Sequence, residues 1–193
     1  MRDGITLYFV RHGETDWNAE LRYQGQRDIA LNANGRAQAQ RNGKALAALS
    51  LTQAAFVASP LGRARETMDI LRQQMGLAAG EYSLDDRLKE LSYGAWEGQL
   101  QKALPEIDPD GWAARLRDPF RWRPKGGESY ADLMQRCTAW LDCLTGDTVA
   151  ASHGGVSRCL RGHVLGLDPA IIPELESPQD RVLVLTKGAM RWV

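Results

Sequence analysis

The stretch Leu7-Tyr8-Phe9-Val10-Arg11-His12-Gly13-Glu14-Thr15-Asp16-Trp17-Asn18 decides how this chain is read. Its first four residues are apolar, aromatic or β-branched, as in a buried strand, and the run stops abruptly at Arg-His-Gly. In an open α/β sheet, ligands sit in the loops that leave the carboxyl ends of strands. An arginine and a histidine placed there can hold an anion and attack it. Gly13 lets backbone approach closely, and Asn18 offers a further donor.

Outward from that run, strand-like segments recur at 54–58, 148–151 and 181–185, with helical patterns between them. Asn32 reads as the N-cap of a helix reaching about Leu49, and Pro60 as the first turn of one reaching about Met75. Ser129 with Asp132 resembles a capping box before a helix at 130–144. Gly154 begins a helix toward Leu165, and Asp168-Pro169 a short one. Strands alternating with helices predict a three-layer α/β/α sandwich with a mostly parallel, mixed central sheet. Antiparallel pairing enters at the end, where 182–185 and 190–193 flank Lys187-Gly188. No repeat or linker interrupts the chain, so residues 1–193 are expected to form one domain.

The least regular part is 99–125, with Pro105, Pro109, Pro119 and Pro124. Its second half is basic, with Arg115, Arg117, Arg121, Arg123 and Lys125 against Asp118. Two readings stay open: a solvated helix and loop, or a lid over the pocket that helps select the substrate.

Composition narrows the classes. Lys plus Arg equals Asp plus Glu at 24 each, so no global field favours nucleic acid or an acidic membrane, and neither is expected as a partner. Basic groups that matter must act locally. No apolar run approaches the ~20 residues that span a bilayer, and no secretory segment follows Met1-Arg2-Asp3-Gly4, so a cytoplasmic protein is expected. Cys137, Cys143 and Cys159 form no CxxC pair and read as buried reduced thiols in helices.

Six further blocks follow the opening signature: Arg22-Tyr23-Gln24-Gly25-Gln26-Arg27-Asp28; Leu31-Asn32-Ala33-Asn34-Gly35 with Gln38-Ala39; Ser59-Pro60-Leu61-Gly62-Arg63-Ala64-Arg65-Glu66-Thr67; Glu90-Leu91-Ser92-Tyr93-Gly94-Ala95-Trp96-Glu97-Gly98; Gly126-Gly127-Glu128-Ser129; and Ala151-Ser152-His153-Gly154-Gly155. Together they resemble the histidine phosphatase superfamily, the phosphoglycerate-mutase-like proteins, in that family's order. The resemblance implies a phosphoglycerate-mutase-like fold and a phosphate clamp of Arg11, Arg63 and His153. It implies Glu90 as the proton donor.

The chemistry of these residue types fits. Phosphate monoesters need negative charge neutralised and a poor leaving group protonated. Arginine matches phosphate oxygens bidentately and keeps its charge. The sequence has no metal-ligand spacing and no phosphate-binding loop ending in Gly-Lys-Ser/Thr, so no metal and no cofactor are expected. A neutral His12 is a competent nucleophile, and the arginines should disfavour its imidazolium. His153 is expected to be cationic or hydrogen-donating, with Ser152 and Gly154 assisting at a helix start. Asn18, Gln24 and Gly25 are expected to touch the phosphoryl group or its neighbour. Glu14 is expected to orient the His12 loop and Glu97 to be structural. Glu128 sets up a loop or cap, Trp17 and Trp96 pack, and His163 has no catalytic role.

Mutases of the family typically carry Glu-Arg-His-Tyr where this chain has Glu90-Leu91-Ser92-Tyr93, the version typical of its phosphatases. The resemblance therefore implies a metal-independent phosphatase acting on a small-molecule phosphate ester, as a monomer or homodimer. Two alternatives stand beside it. One is a cofactor-dependent phosphoglycerate mutase; the other is a non-catalytic phosphate- or phosphoprotein-binding module, which would need the arginines but not His12 with Glu90.

Overall fold

The computed structural model describes residues 1–49, 51 and 53–193. Strands β1 (Leu7–Arg11), β2 (Ala55–Ala58), β3 (Ser83–Leu84), β4 (Thr148–Ser152), β5 (Val182–Thr186) and β6 (Ala189–Trp192) form one sheet in the order β3-β2-β4-β1-β5-β6. The first four run parallel, and β5 pairs antiparallel with both β1 and β6. This is the predicted mixed α/β sheet. The β5–β6 hairpin turns at Lys187-Gly188, where Gly188 adopts φ +73°, a left-handed conformation that glycine tolerates.

Alternation along β1 divides the core. Leu7 and Phe9 face helices α6 (Tyr130–Leu141) and α7 (Gly154–Leu165), joining Leu133, Trp140 and Leu160. Val10 faces the opposite side, joining Leu46 of α2 (Ala33–Ala47) with Met68 and Leu71 of α3 (Gly62–Gln74). Helices thus cover both faces, and central β4 is buried at all five positions. That is why β4 reads as a continuous small and β-branched run rather than an alternating one.

Caps account for most helix starts. Asn32 accepts from Gly35 N–H at α2, and the Ser129–Asp132 capping box opens α6. Helix α3 starts at Gly62, two residues later than Pro60 suggested. Leu61 remains extended there, and the cap comes from a distant segment: Asp28 Oδ1 accepts from Gly62 N–H at 2.9 Å. Helix α6 ends at Leu141 rather than 144, because the chain must turn into β4. That places Cys143 beyond the helix and exposed, correcting the expectation of three buried thiols; Cys137 and Cys159 are buried.

The segment 99–125 is more regular than its prolines suggested. It contains a 3₁₀ turn at Gln101–Ala103 and helices α4 (Leu104–Ile107) and α5 (Pro109–Arg117), with Pro105 and Pro109 in first turns, where a missing N–H costs nothing. Trp96 pins it. Its indole donates to Asp108 at 2.8 Å and packs against Trp122, Trp112 and Tyr23. Among the described residues, no helix is long and apolar enough to cross a membrane.

Three parallel strands, β1, β2 and β4, end at one edge of the sheet. The ladder continues one residue past them, His12 N–H donating to Ser152 O at 2.8 Å and Ser59 N–H to Ala151 O at 2.9 Å. Short helix α1 (Asp16–Ala19) then turns the chain back over that edge. The His12 loop passes so close to the start of α2 that a Cβ on Gly13 would collide with the Gly35 carbonyl, and one on Gly35 with the Glu14 carbonyl. Gly35→Ala is expected to destabilise the protein by about 1–3 kcal/mol through this backbone overlap. Denaturant unfolding checks it, and an unchanged midpoint would contradict the packing.

Candidate active site

His12 follows β1 directly and is almost completely buried. Its Nδ1 lies 2.7 Å from the Gly13 carbonyl, which can only accept, so the ring proton sits on Nδ1. The bare Nε2 then accepts from Arg63 Nε at 3.1 Å. Burial, followed by the charges of Arg63 and Arg11, holds the His12 pKa well below its ordinary 6.5. The imidazole is neutral, as expected from the arginines, although burial is the larger cause. Glu14 orients the loop as anticipated: its carboxylate accepts from Asn32 Nδ2 at 2.9 Å and its N–H donates to Gln38 at 2.8 Å.

Arg63, in the first turn of α3, is held by backbone. Its Nη1 donates to Arg27 O at 2.6 Å and its Nη2 to Gly25 O at 2.7 Å. Gln24 is satisfied when its amide nitrogen meets Thr15 Oγ1 (2.7 Å) and its oxygen meets Arg63 Nε and Nη1 (3.0 and 3.1 Å). Gln24 and Gly25 therefore position the guanidinium as well as lining the cleft. Arg11, at the end of β1, donates from Nη1 to Ser177 O, while its buried Nε has no protein partner. Burial is the main force lowering both guanidinium pKa values to about 10, so both stay charged at neutral pH.

For His153 the structure narrows the two expected states, cationic or hydrogen-donating. It is wholly buried, and burial, then Arg63 and His12, push its pKa well below 6.5. The ring is therefore neutral, not cationic, because a buried positive ring beside the charged guanidinium groups would lack solvation. Nε2 lies 2.7 Å from Ser59 Oγ, and Nδ1 is buried without a partner. The two imidazole rings meet edge-on with centroids 5.1 Å apart.

Glu90 reaches the start of α7. Its carboxylate accepts from Leu91 N–H at 2.8 Å and from Gly155 N–H at 3.1 Å, at the positive end of the helix. A Cβ on Gly155 would strike Glu90 Oε1, so that glycine admits the carboxylate. The other carboxylates divide as anticipated. Glu97 accepts from Gln26 N–H (3.1 Å) and Tyr93 N–H (3.2 Å) and pairs with Arg27. Glu128 accepts from Ser92 N–H at 3.0 Å and holds Arg136 through both oxygens. Arg136 was not foreseen. It donates to the carbonyls of Arg87 (2.7 Å), Lys89 (2.5 Å) and Glu90 (3.0 Å), clasping the loop that carries Glu90.

These groups gather at an open cleft, with buried His153 behind its lining. Arg11, His12, Asn18, Gln24, Gly25, Arg63, Glu90 and Gly154 line it, as do Arg22, Tyr23, Tyr93, Gln101 and Arg158, which sequence reasoning passed over. Arg158 lies four residues after Gly154 on α7, a helical spacing that could have signalled it. Burial lowers its pKa, but Tyr130, Tyr93 and Glu90 outweigh that and raise it. Asn18 Oδ1 accepts from Thr15 N–H and from Gln179 Nε2, the latter at 3.2 Å. Gln101 is the sole residue of 99–125 on the lining, and none of that segment's basic residues reaches it. Exposed His163 stands apart from the cleft. No three His, Cys, Asp or Glu side chains cluster as metal ligands would among the described residues.

Residues 7–193 match the family description "Histidine phosphatase superfamily (branch 1)". The chain belongs to this superfamily. One relative is the "Probable phosphoglycerate mutase GpmB" of Salmonella choleraesuis (strain SC-B67), 38% identical over 169 residues, covering 84% of this chain and 76% of that protein. Among solved structures, a mycobacterial glucosyl-3-phosphoglycerate phosphatase complexed with VO3 is 30% identical with a TM-score of 0.79, covering 97% of this chain and 96% of that one. YhfR from Bacillus stearothermophilus is 30% identical with a TM-score of 0.80, covering 98% and 95%. The alpha-ribazole phosphatase from Shigella flexneri, 22% identical with a TM-score of 0.83 over 97% and 94%, shares the fold.

This histidine phosphatase superfamily member should lose stability as the pH drops below 6.5. Its two buried histidines have depressed folded-state pKa values, so the unfolded chain binds protons that the native state refuses. As the pH rises above 6.5 the unfolded imidazoles also lose their protons and the effect fades. Unfolding free energy is expected to be about 2–3 kcal/mol lower at pH 5.5 than at pH 7. Ring ¹⁵N chemical shifts typical of imidazolium for residues 12 or 153 at pH 6 would contradict the neutral site.

Proposed function

We propose that the protein is a metal-independent phosphatase for phosphate monoesters of small metabolites, working through a phosphohistidine on His12. The observation that carries this reading is the proton placement on His12. With Nδ1 committed to Gly13 O, the lone pair of Nε2 faces the guanidinium of Arg63, where a phosphoryl group would be held. A pure binding module would need the arginines but has no use for that arrangement.

In the first step Nε2 bonds to phosphorus while the bond to the ester oxygen breaks, and Glu90 gives that oxygen a proton. In the second, Glu90 takes a proton from water, whose oxygen bonds to phosphorus as the P–N bond breaks and His12 regains its lone pair. Arg11, Arg63 and the unpartnered Nδ1 of His153 supply donors to the equatorial oxygens throughout. The same groups would serve a mutase, the name carried by the Salmonella relative. The Glu90-Leu91-Ser92-Tyr93 block and the open cleft favour water as the acceptor. In this reading 99–125 forms a lid-like wall, and the enzyme works in the cytoplasm as a monomer or homodimer without nucleic acid, membrane or cofactor.

His12→Ala should abolish phosphate release, and wild-type enzyme quenched in turnover should carry acid-labile, base-stable phosphate on residue 12. Glu90→Gln should slow alkyl esters by about 10²–10⁴-fold and p-nitrophenyl phosphate far less, since that leaving group needs no proton. Activity lost in EDTA and restored by a divalent ion would overturn the metal-free mechanism. Bisphosphate-primed exchange of 3- and 2-phosphoglycerate faster than phosphate release would favour the mutase.

A further inference from the structure

Beside the cleft runs a second hollow, lined by Leu21, Leu100, Pro105 and Trp112 together with Gln101 and Lys102. Gln101 lines both spaces, so the two adjoin across it. The wall between them is a short paired strip. Gln101 N–H donates to Leu21 O at 3.0 Å, and Arg22 bridges antiparallel to Leu100. Trp112 is held by the aromatic cluster around Trp96, so the far wall is anchored.

Leu21 is the more telling observation. It has φ +58°, and among the described residues it is the only non-glycine with positive φ. It follows the C-cap residue of α1, a position that glycine or asparagine ordinarily fills. A leucine is sterically strained there, and a core contact would offset that strain, yet Leu21 is 64% exposed. Leu21 belongs to none of the hydrophobic clusters of the core, and its side chain walls the hollow instead.

We infer that this hollow is the leaving-group subsite, and that the preferred substrates are phosphate monoesters whose alcohol portion carries an alkyl or aryl group. This rests on the phosphatase reading above. The phosphoryl group would occupy the arginine clamp, and the organic portion would cross the Arg22–Gln101 rim to lie against Leu21, Leu100 and Trp112. Burial of apolar surface there accounts for the otherwise unexplained leucine.

Alkylphosphonates test binding apart from hydrolysis, because their P–C bond is not cleaved. Calorimetry with methyl-, butyl- and hexylphosphonate should show Kd tightening by about fourfold per methylene once the chain passes the rim, and a hydroxylated chain of equal length should gain nothing. Leu21→Asn, which tolerates the left-handed backbone, should flatten the series, and Leu21→Met should restore it. A Kd independent of chain length in the wild type overturns the subsite, and this series decides even should a variant fail to fold. An undiminished slope in Leu21→Asn overturns it too. So does a flat series accompanied by dimerisation that Leu21→Asn abolishes, which would assign the hollow to a second copy of the chain. The corresponding alkyl phosphates separate the two readings. Equal kcat/KM for all of them removes the subsite and leaves the phosphatase; length-dependent binding with no phosphate release removes hydrolysis and leaves the subsite.

Discussion

A neutral imidazole held against two permanent cations is the constraint on which this protein depends. Exposed to water, an imidazole is partly protonated near neutral pH, and the protonated ring has no free lone pair. Burial removes the solvation that an imidazolium needs, and Arg63 and Arg11 add repulsion, so the lone pair stays available. The same burial acts on the arginines, whose pKa values fall, but by too little to discharge them. One desolvated volume thus keeps histidine neutral and arginine charged, because their intrinsic pKa values lie about six units apart.

The fold meets this constraint by convergence of strand ends. Parallel pairing of β1, β4 and β2 brings residues 12, 59 and 153 to one edge, and the loops that follow lead into helices α1, α3 and α7. Glycines at 13, 35 and 155 let backbone come nearer than any side chain would permit. A second layer then fixes the reacting groups. Arg136 and Glu128 grip the Glu90 loop at carbonyls and an N–H, while Gln24 and Gly25 grip Arg63. These contacts are short in space and long in sequence, which makes the site rigid where chemistry needs precision and open at its mouth.

Much of this was legible in the linear chain. The buried runs at β1 and β4, the Asn32 and Ser129 caps and the β5–β6 hairpin rest on local rules of periodicity and hydrogen-bond supply, and the structure follows them. The motif blocks contain Arg11, His12, Asn18, Gln24, Gly25, Arg63, Glu90 and Gly154, all of which line the cleft, but not Gln101 or Arg158. Misplacements came where a distant partner decided the outcome. Asp28 caps α3, so Pro60 does not start it; the return into β4 ends α6, so Cys143 lies outside it. Arg136 and Ser177 carried no local signal, since the contacts that place them run through backbone carbonyls that any sequence supplies.

By itself the sequence determined which elements form, which faces they bury, and which titratable side chains are available for phosphate chemistry. Those properties depend on neighbours within a few residues. Only the tertiary structure decided the ring proton of His12, the neutrality of His153, the grip on Glu90 and the apolar hollow beside Leu21. Each is a sum of burial and charge over residues remote along the chain, and such a sum has no value until the chain is folded.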